Sequence, residues 1–305
     1  MALAPKLKLL SHSSLTTLHS CPRKFELYRL NAGEGQRPSV DTAFGSAFGA
    51  GIQSLIELEG NLTRALFSAF IAWDTSLLEE NSKSNKSFWE VVMALQGFEK
   101  LQLPLILKDW EIARLKDGKP AVELSFKVEL PDGFAYRGFV DLVLKHRREN
   151  RYKIWELKTT GSYQVHEAQY KNSFQGVGYG VVLDAIAAGQ GSESDYFVDY
   201  YIYKTKSREF ELMPFLKSNL QRMRWLSQLL LEVEKLQLYD RLGTFPMHGE
   251  NCYNFFRPCE YFGICEMSNS SLVDEEKAKL IPTSPSADFT FAFTDLLATQ
   301  QEQLK

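Results

Sequence analysis

From Ala121 onward the apolar residues of this chain change period, from roughly 3.6 residues to two, and that switch restricts the fold more than any other feature. AVELSFKVEL alternates apolar and polar residues over one strand length, and PDG marks a turn. FAYRGFVDLVLKH alternates again, RREN marks a second turn, and RYKIWELKTT supplies a third strand, so a short antiparallel meander is predicted. Successive strand side chains point to opposite faces. Glu156 and Lys158 therefore share a face, while Leu157 points the other way into the core. A turn near 147–151 brings Asp141 on the middle strand beside Glu156 and Lys158, and Glu123 on the first strand is within reach of the same cluster.

Helices surround this meander. Ser13 or Ser14 can cap a helix over about Leu15–Leu30, with Cys21-Pro22 placing a proline near a first turn or a kink. Residues 31–40 read as a loop by their Gly and Pro content. Several helices follow to about residue 115, and the small residues opening GSAFGAGIQSLIELEG permit close helix packing. After the meander come a helix over about 164–188, two strands (SDYFVDYYIYKTKS and REFELMPF), and a long helix over 214–242. Pro214 suits that helix's first turn and Gly243 its end. From Ser268 the chain turns polar and Pro/Ser-rich, as a linker does, and FTFAFTDLLATQQEQLK is a candidate short helix docking on the body or on a partner.

The fold class expected is thus α/β. A mixed, mostly antiparallel core sheet is flanked by helices within one domain, 1–267, with a helical insertion at about 50–115 and a flexible linker and tail over 268–305. At 305 residues, 44% hydrophobic and 24% charged, the composition is that of an ordinary globular protein. No apolar run approaches the roughly 20 residues that span a bilayer. The N-terminal stretch has no signal-peptide pattern, so no membrane partner and a cytoplasmic location are expected. A net charge of −3 is not that of a nucleic-acid coat. Local basic clusters exist at Arg23/Lys24/Arg29, at Lys145–Arg148 with Arg151 and Lys153, and at Lys204/Lys206/Arg208, any of which alone also suits a solvated surface.

The Asp141, Glu156 and Lys158 grouping suits phosphodiester hydrolysis. Paired carboxylates favour hard cations such as Mg²⁺ or Mn²⁺, which lower the pKa of a bound water, and an adjacent lysine stabilises developing negative charge. A surface strand with cross-strand ion pairs would show the same short pattern. The four cysteines are Cys21 and, in a C-x6-C-x5-C run over 244–267, Cys252, Cys259 and Cys265. Zinc modules use tighter pairs, whereas four thiolates suit a [4Fe–4S] cluster. Buried or reactive free thiols are the plainer alternatives.

Taken in order, five stretches resemble the RecB-type branch of the PD-(D/E)XK nuclease superfamily, most closely its Cas4-like and AddB-like iron–sulfur members. They are SSLTTLHSCPRKFELYRL, GFVD ending at Asp141, Glu156-Leu157-Lys158 with TTG after it, Gln175-Gly-Val-Gly-Tyr179, and CYNFFRPCEYFGIC. The resemblance implies a restriction-endonuclease-like fold and a DNA exonuclease of replication, recombination or repair, acting on single strands or duplex ends. It implies that Asp141, Glu156 and the Leu157 carbonyl bind the metal and that Lys158 assists the attacking water. Gln175 would position the active site or DNA, and Tyr179 would contact DNA, although Tyr179 equally suits a helix packed on the sheet. Cys21, Cys252, Cys259 and Cys265 would hold a structural cluster clipping the two ends of the domain together. The tail is a candidate dock for a replication or recombination protein. One departure stands out. Relatives carry a metal-binding histidine in a G-x-x-x-H segment, and the corresponding run here, Gly45 to Gln53, has none. Either Gly49 occupies that position or Gln53 partly substitutes. His146 and His166 flank the motif strands and read as surface residues, leaving Glu123 as a candidate extra ligand. The missing histidine also fits a catalytically silent iron–sulfur DNA-binding subunit.

Overall fold

The computed structural model describes residues 3–30, 39–77, 85–189, 193–254, 257–266 and 287–303. In chain order its strands and α-helices are β1 (Leu9–Ser11), α1 (His12–Ser20), α2 (Pro22–Arg29), α3 (Val40–Glu57), α4 (Leu62–Ala72), α5 (Phe88–Leu101), α6 (Leu103–Asp109), β2 (Trp110–Ile112), β3 (Val122–Glu129), β4 (Ala135–His146), β5 (Arg151–Thr160), α7 (Glu167–Lys171), α8 (Phe174–Gly189), β6 (Glu193–Lys204), β7 (Glu209–Leu216), α9 (Asn219–Leu242), β8 (Tyr253–Asn254), β9 (Arg257–Pro258), β10 (Phe289–Ala292) and α10 (Phe293–Glu302). The result is a mixed α/β fold with a central mixed sheet flanked by helices. Two compact units are distinguishable: a middle unit of Arg37–Leu124 and Phe139–Arg222, and a terminal unit of Met1–Gln36, Ser125–Gly138 and Met223–Lys305.

In the middle unit the strand order is β4-β5-β6-β7. β4 and β5 are antiparallel, with Leu142 opposite Trp155, as the RREN turn requires. β5 and β6 are parallel, with Glu156 opposite Tyr200 and Lys158 opposite Ile202. Parallel neighbours need a crossover, and α8 supplies it. With β1–β4 and β10–β3 also parallel, the sheet is less antiparallel than its alternating sequence implies. One face of β4 and β5 presents Leu142, Leu144, Trp155 and Leu157 to a core made by Phe44, Phe48, Leu55 and Phe98 of α3 and α5. Each such large apolar side chain contributes about 1.5–3 kcal/mol by leaving water. The small residues of α3 do allow close approach: a Cβ on Gly51 would lie 2.5 Å from Leu95 Cδ1. Because α8 packs on the opposite face, β5 is buried on both sides. Ser39 and Ser87 cap α3 and α5 by accepting from the backbone N–H groups of Thr42 and Glu90.

Several boundaries differ from expectation. The helical insertion runs from Val40 to Asp109, and 110–112 pair with β4 as strand β2. The helix expected over 164–188 breaks at Asn172, where the Ser173 Oγ accepts from Gly176 N at 3.4 Å and restarts the helix as α8. Pro214 lies in β7, not in a helix. β7 ends the strand order, and an edge strand tolerates a residue without an N–H. The long helix starts only at Asn219, behind a reciprocal cap in which Gln221 N donates to Ser218 Oγ and Ser218 N donates to Gln221 Oε1.

In the terminal unit, Ser11 rather than Ser13 or Ser14 caps α1, through a capping box with Ser14. Cys21 then ends α1 and Pro22 opens α2, so the expected single helix is two. Gly243 ends α9 at φ +64, and Thr244 N donates back to Tyr239 O. Residues 287–303, grouped by composition with a flexible tail, form β10 and α10. The aromatic run Phe289–Phe291 pairs with β3, and Ser125 N and Oγ both donate to Asp288 Oδ2. The expected linker over 268–286, most of the 31–40 loop, and Phe255 and Phe256 lie outside the described residues. Among the described residues no helix is long and apolar enough to cross a membrane.

Candidate active site

Where the β4–β5 ladder passes Leu142 and Trp155, the next residues on the two strands are Asp141 and Glu156. There the Asp141 carboxylate takes over the role of a backbone acceptor: Leu157 N donates to its Oδ2 at 2.7 Å. Glu156 is 1% exposed, a carboxylate inside a strand covered on both faces. Its Oε1 accepts from Lys158 Nζ at 2.6 Å, and its Oε2 is buried without a hydrogen-bond partner. Burial first, and then the charge of Glu156, hold the Asp141 carboxyl well above the usual carboxylate range against the opposing pull of Lys158 and the Leu157 N–H. Burial also raises Glu156, with Lys158 opposing and Glu123 adding to the rise. Lys158 loses to burial but gains more from Glu156 and Asp141, so its ammonium is held above its ordinary value. The three groups thus crowd negative charge into a desolvated place with one cation to answer it.

Two further elements complete the group. From α8, Gln175 Oε1 accepts from Lys158 Nζ at 3.3 Å while its Nε2 donates to the Tyr179 hydroxyl at 2.7 Å. The Tyr179 hydroxyl in turn donates to the Phe139 carbonyl. Gln175, braced by Tyr179 one helical turn along α8, therefore holds the lysine from the helix. Tyr179 is 2% exposed, as the packing alternative for it expects, and its hydroxyl braces Gln175. From α3, Gln53 Nε2 donates to Glu123 Oε1 at 2.8 Å and to the Asp141 carbonyl at 3.3 Å. Of the two alternatives for the histidine position, Gln53 is the one that reaches the site. Glu123 adopts φ +47, a left-handed conformation rare for a residue with a Cβ, at a cost of order 1–3 kcal/mol. That twist at the start of β3 turns its carboxylate toward Gln53, a feature no residue pattern announces. His166 is exposed, and His146 packs its ring on Trp110 at 5.0 Å and accepts from Glu149 N, so neither serves the site.

A sequence profile of the PD-(D/E)XK nuclease superfamily matches residues 9–266. The chain belongs to that superfamily. In this PD-(D/E)XK protein Asp141 and Glu156-Leu157-Lys158, the residues that suggested the resemblance, lie inside the matched span. No curated protein matches it by sequence. Among solved structures, that of a putative exonuclease from Eubacterium rectale is similar over 94% of this chain and 97% of that one, at 11% identity and a TM-score of 0.48. A likeness that distant bears on neither activity nor substrate.

The donor set fits a hard divalent cation. An unpartnered buried oxygen on Glu156 is the kind of orphan that a bound ion satisfies, and carboxylates beside it offer oxygen ligands. Among the described residues, no three His, Cys, Asp or Glu side chains form a closed metal cage, so the fit rests on that oxygen and on donor chemistry.

The cysteines lie in the terminal unit. Cys21 is buried at the α1–α2 break. Asn251 Nδ2 donates to Ser20 O at 2.6 Å, Arg23 N to Pro246 O at 3.0 Å, and Arg23 Nε to Cys265 O at 3.1 Å, docking the C-terminal cysteine run on the first helices. Cys259 N donates to Cys252 O at 2.7 Å across the β8–β9 hairpin. Burial raises the Cys265 thiol, Arg23 opposes, and Cys21, Cys252 and Cys259 add to the rise. None of the four forms a disulfide.

Proposed function

We propose that this chain is a metal-dependent DNA exonuclease, acting on single strands or duplex ends in replication, recombination or repair. The observation that carries the reading is Glu156, buried beside Asp141 with one oxygen on Lys158 and the other unpartnered. Asp141, Glu156 and the Leu157 carbonyl would hold Mg²⁺ or Mn²⁺, with Glu123 as a further ligand. Such an ion supplies a water of lowered pKa and polarises the phosphoryl oxygen. The chain's own groups do the rest. Lys158, kept charged by Glu156 and Asp141, donates to the attacking water or to the phosphate oxygen on which charge develops. Gln175 holds that ammonium in place, and Gln53 holds Glu123 and the Asp141 backbone.

The test is cleavage of end-labelled and circular DNA with Mg²⁺ or Mn²⁺, comparing wild type with Glu156→Gln and Lys158→Met. Cation-dependent loss of label from linear DNA, abolished by either substitution, is expected. Equal cleavage by the variants refutes the assigned centre.

One observation favours a second reading. Gln53, one of the two residues that could stand at the place of the relatives' metal-binding histidine, presents an amide N–H already donated to Glu123. A catalytically silent iron–sulfur DNA-binding subunit would bind DNA without cation-dependent cutting. In either case Cys21, Cys252, Cys259 and Cys265 are the proposed ligands of a structural [4Fe–4S] cluster, since four soft thiolate donors suit one, although among the described residues they do not already form a metal-holding group. Anaerobic purification decides it: brown protein with iron and sulfide is expected, and a colourless chain with stoichiometric zinc refutes it.

A further inference from the structure

In the middle unit, an open cleft of about 520 Å³ lies where β5 and β6 end and α5 begins, lined by Trp89, Met93, Tyr163, Lys206 and Arg208 among others. Its large side chains are left in water: Trp89 is 75% exposed, Tyr163 66% and Met93 47%. We propose that this cleft is a stacking platform for single-stranded DNA, leading a strand toward Asp141, Glu156 and Lys158. The proposal rests on the nuclease reading for the identity of its ligand.

Three observations support it. The first is chemistry. Bases stack on exposed aromatic faces whatever their sequence, and cations beside the rings accept the backbone. Lys206 Nζ lies 5.3 Å from the Tyr163 ring centroid, cation and aromatic face together. The second is charge. The one carboxylate among the lining residues, Glu90, is 7% exposed and already accepts from Arg208 Nε and Nη2 and from the Tyr203 hydroxyl. Glu90 and Arg208 cancel, and among the described lining residues Lys206 leaves a net positive charge. The third is continuity with the reacting residues. Tyr163 follows Lys158 by five positions along β5 and its exit, and Thr205 N ties the two strand ends by donating to Thr160 O at 2.9 Å. Five residues reach at most about 18 Å. That is about five stacked nucleotides at roughly 3.4 Å each. The carboxyl ends of parallel strands, here β5 and β6, are also where open α/β sheets present ligand sites.

Binding of a fluorescein-labelled oligothymidylate, measured by anisotropy without divalent cation, tests the platform. Trp89→Ala and Tyr163→Ala should each weaken binding roughly 5- to 150-fold, the loss expected for one stacked base. Tyr163→Phe should bind like wild type. Oligothymidylate should quench the tryptophan emission of wild type, and Trp89→Phe should remove that quenching. These side chains are exposed, so circular dichroism should be unchanged. Unchanged affinity in both alanine variants overturns the proposal, as does a wild type that binds no single strand or binds duplex with the same dependence on Trp89 and Tyr163. A protein partner captured through these residues, with oligonucleotide binding unaffected, overturns it too. The assay reads no cleavage. A chain that binds through Trp89 but never cuts refutes only the nuclease reading, and one that cuts but binds elsewhere refutes only the platform.

Discussion

Replacing Lys217 with Met should make the stability of this protein respond differently to alkaline pH. Lys217 is 0% exposed, and its Nζ donates to the carbonyls of Tyr170 at 2.9 Å and Lys171 at 2.8 Å, closing the end of α7. The ammonium also lies 5.5 Å from the Tyr200 ring centroid and 5.3 Å from that of Phe215. Among the described residues no carboxylate forms an ion pair with it, and burial pushes its pKa down to about 8. Below pH 8 folded and unfolded chains both hold the proton, and the folded state bears the whole cost of burying it. Between pH 8 and the unfolded value near 10.4 the folded chain releases the proton first, so unfolding takes one up and stability rises with pH. At about 1.36 kcal/mol per unit, wild type should gain on Lys217→Met by about 2–3 kcal/mol between pH 7 and pH 10. Urea unfolding of both proteins at the two pH values measures this, because the other tyrosines and lysines titrate alike in both and cancel in the difference. At pH 7 itself the two effects of the substitution oppose. Met removes the buried charge but strands two carbonyls, each losing a charge-assisted bond of about 1.5–3 kcal/mol. A difference that moves by less than about 1 kcal/mol, or moves the other way, refutes the reasoning.

Gln53→Ala removes the donor that holds Glu123, and a hydrogen bond to a charged group is worth about 1.5–3 kcal/mol, so kcat/KM for DNA cleavage should fall roughly 10- to 150-fold. Cleavage at the wild-type rate would show that Glu123 plays no part in the reaction. Glu156→Gln should keep its fold by circular dichroism yet lose cation-dependent cleavage by 100-fold or more, about the effect of removing one charge-stabilising group. Retained cutting would move the metal elsewhere. Gly176→Ala builds a Cβ 2.0 Å from the hydroxyl of Tyr200, a rigid ring that is 1% exposed. Overpacking of about 1–3 kcal/mol should exceed the helix-propensity gain of about 1 kcal/mol, and a higher urea midpoint would contradict this.

The meander and its charged residues were legible because a two-residue period and short turns are local signals. Asp141 and Glu156 follow from strand pairing across four loop residues, and Lys158 from alternation. What the residues could not disclose depends on distant parts of the chain. Pro214 looks like a helix opener until β6 pairs with its segment and makes it an edge strand. β10 is hidden because its partner, β3, lies some 160 residues earlier. Tyr179 was ambiguous because a tyrosine one turn from Gln175 is equally apt for packing and for contact, and its bond to the distant Phe139 carbonyl is not written in the local pattern. Glu123 was legible as a candidate, but its left-handed backbone was not.

The division of the chain into units has a bearing on how it is made. The terminal unit draws on Met1–Gln36, Ser125–Gly138 and Met223–Lys305. During synthesis, which runs from the N-terminus at about 5–20 residues per second, α1 and α2 emerge first but the segment carrying Cys252, Cys259 and Cys265 emerges last. The middle unit, with Asp141, Glu156, Lys158 and Gln175, has all of its residues once Arg222 has left the ribosome. The nascent chain therefore holds every residue of the candidate site for several seconds before Cys252, Cys259 and Cys265 are made. The first helices spend that interval without their final neighbours, their buried faces open to water.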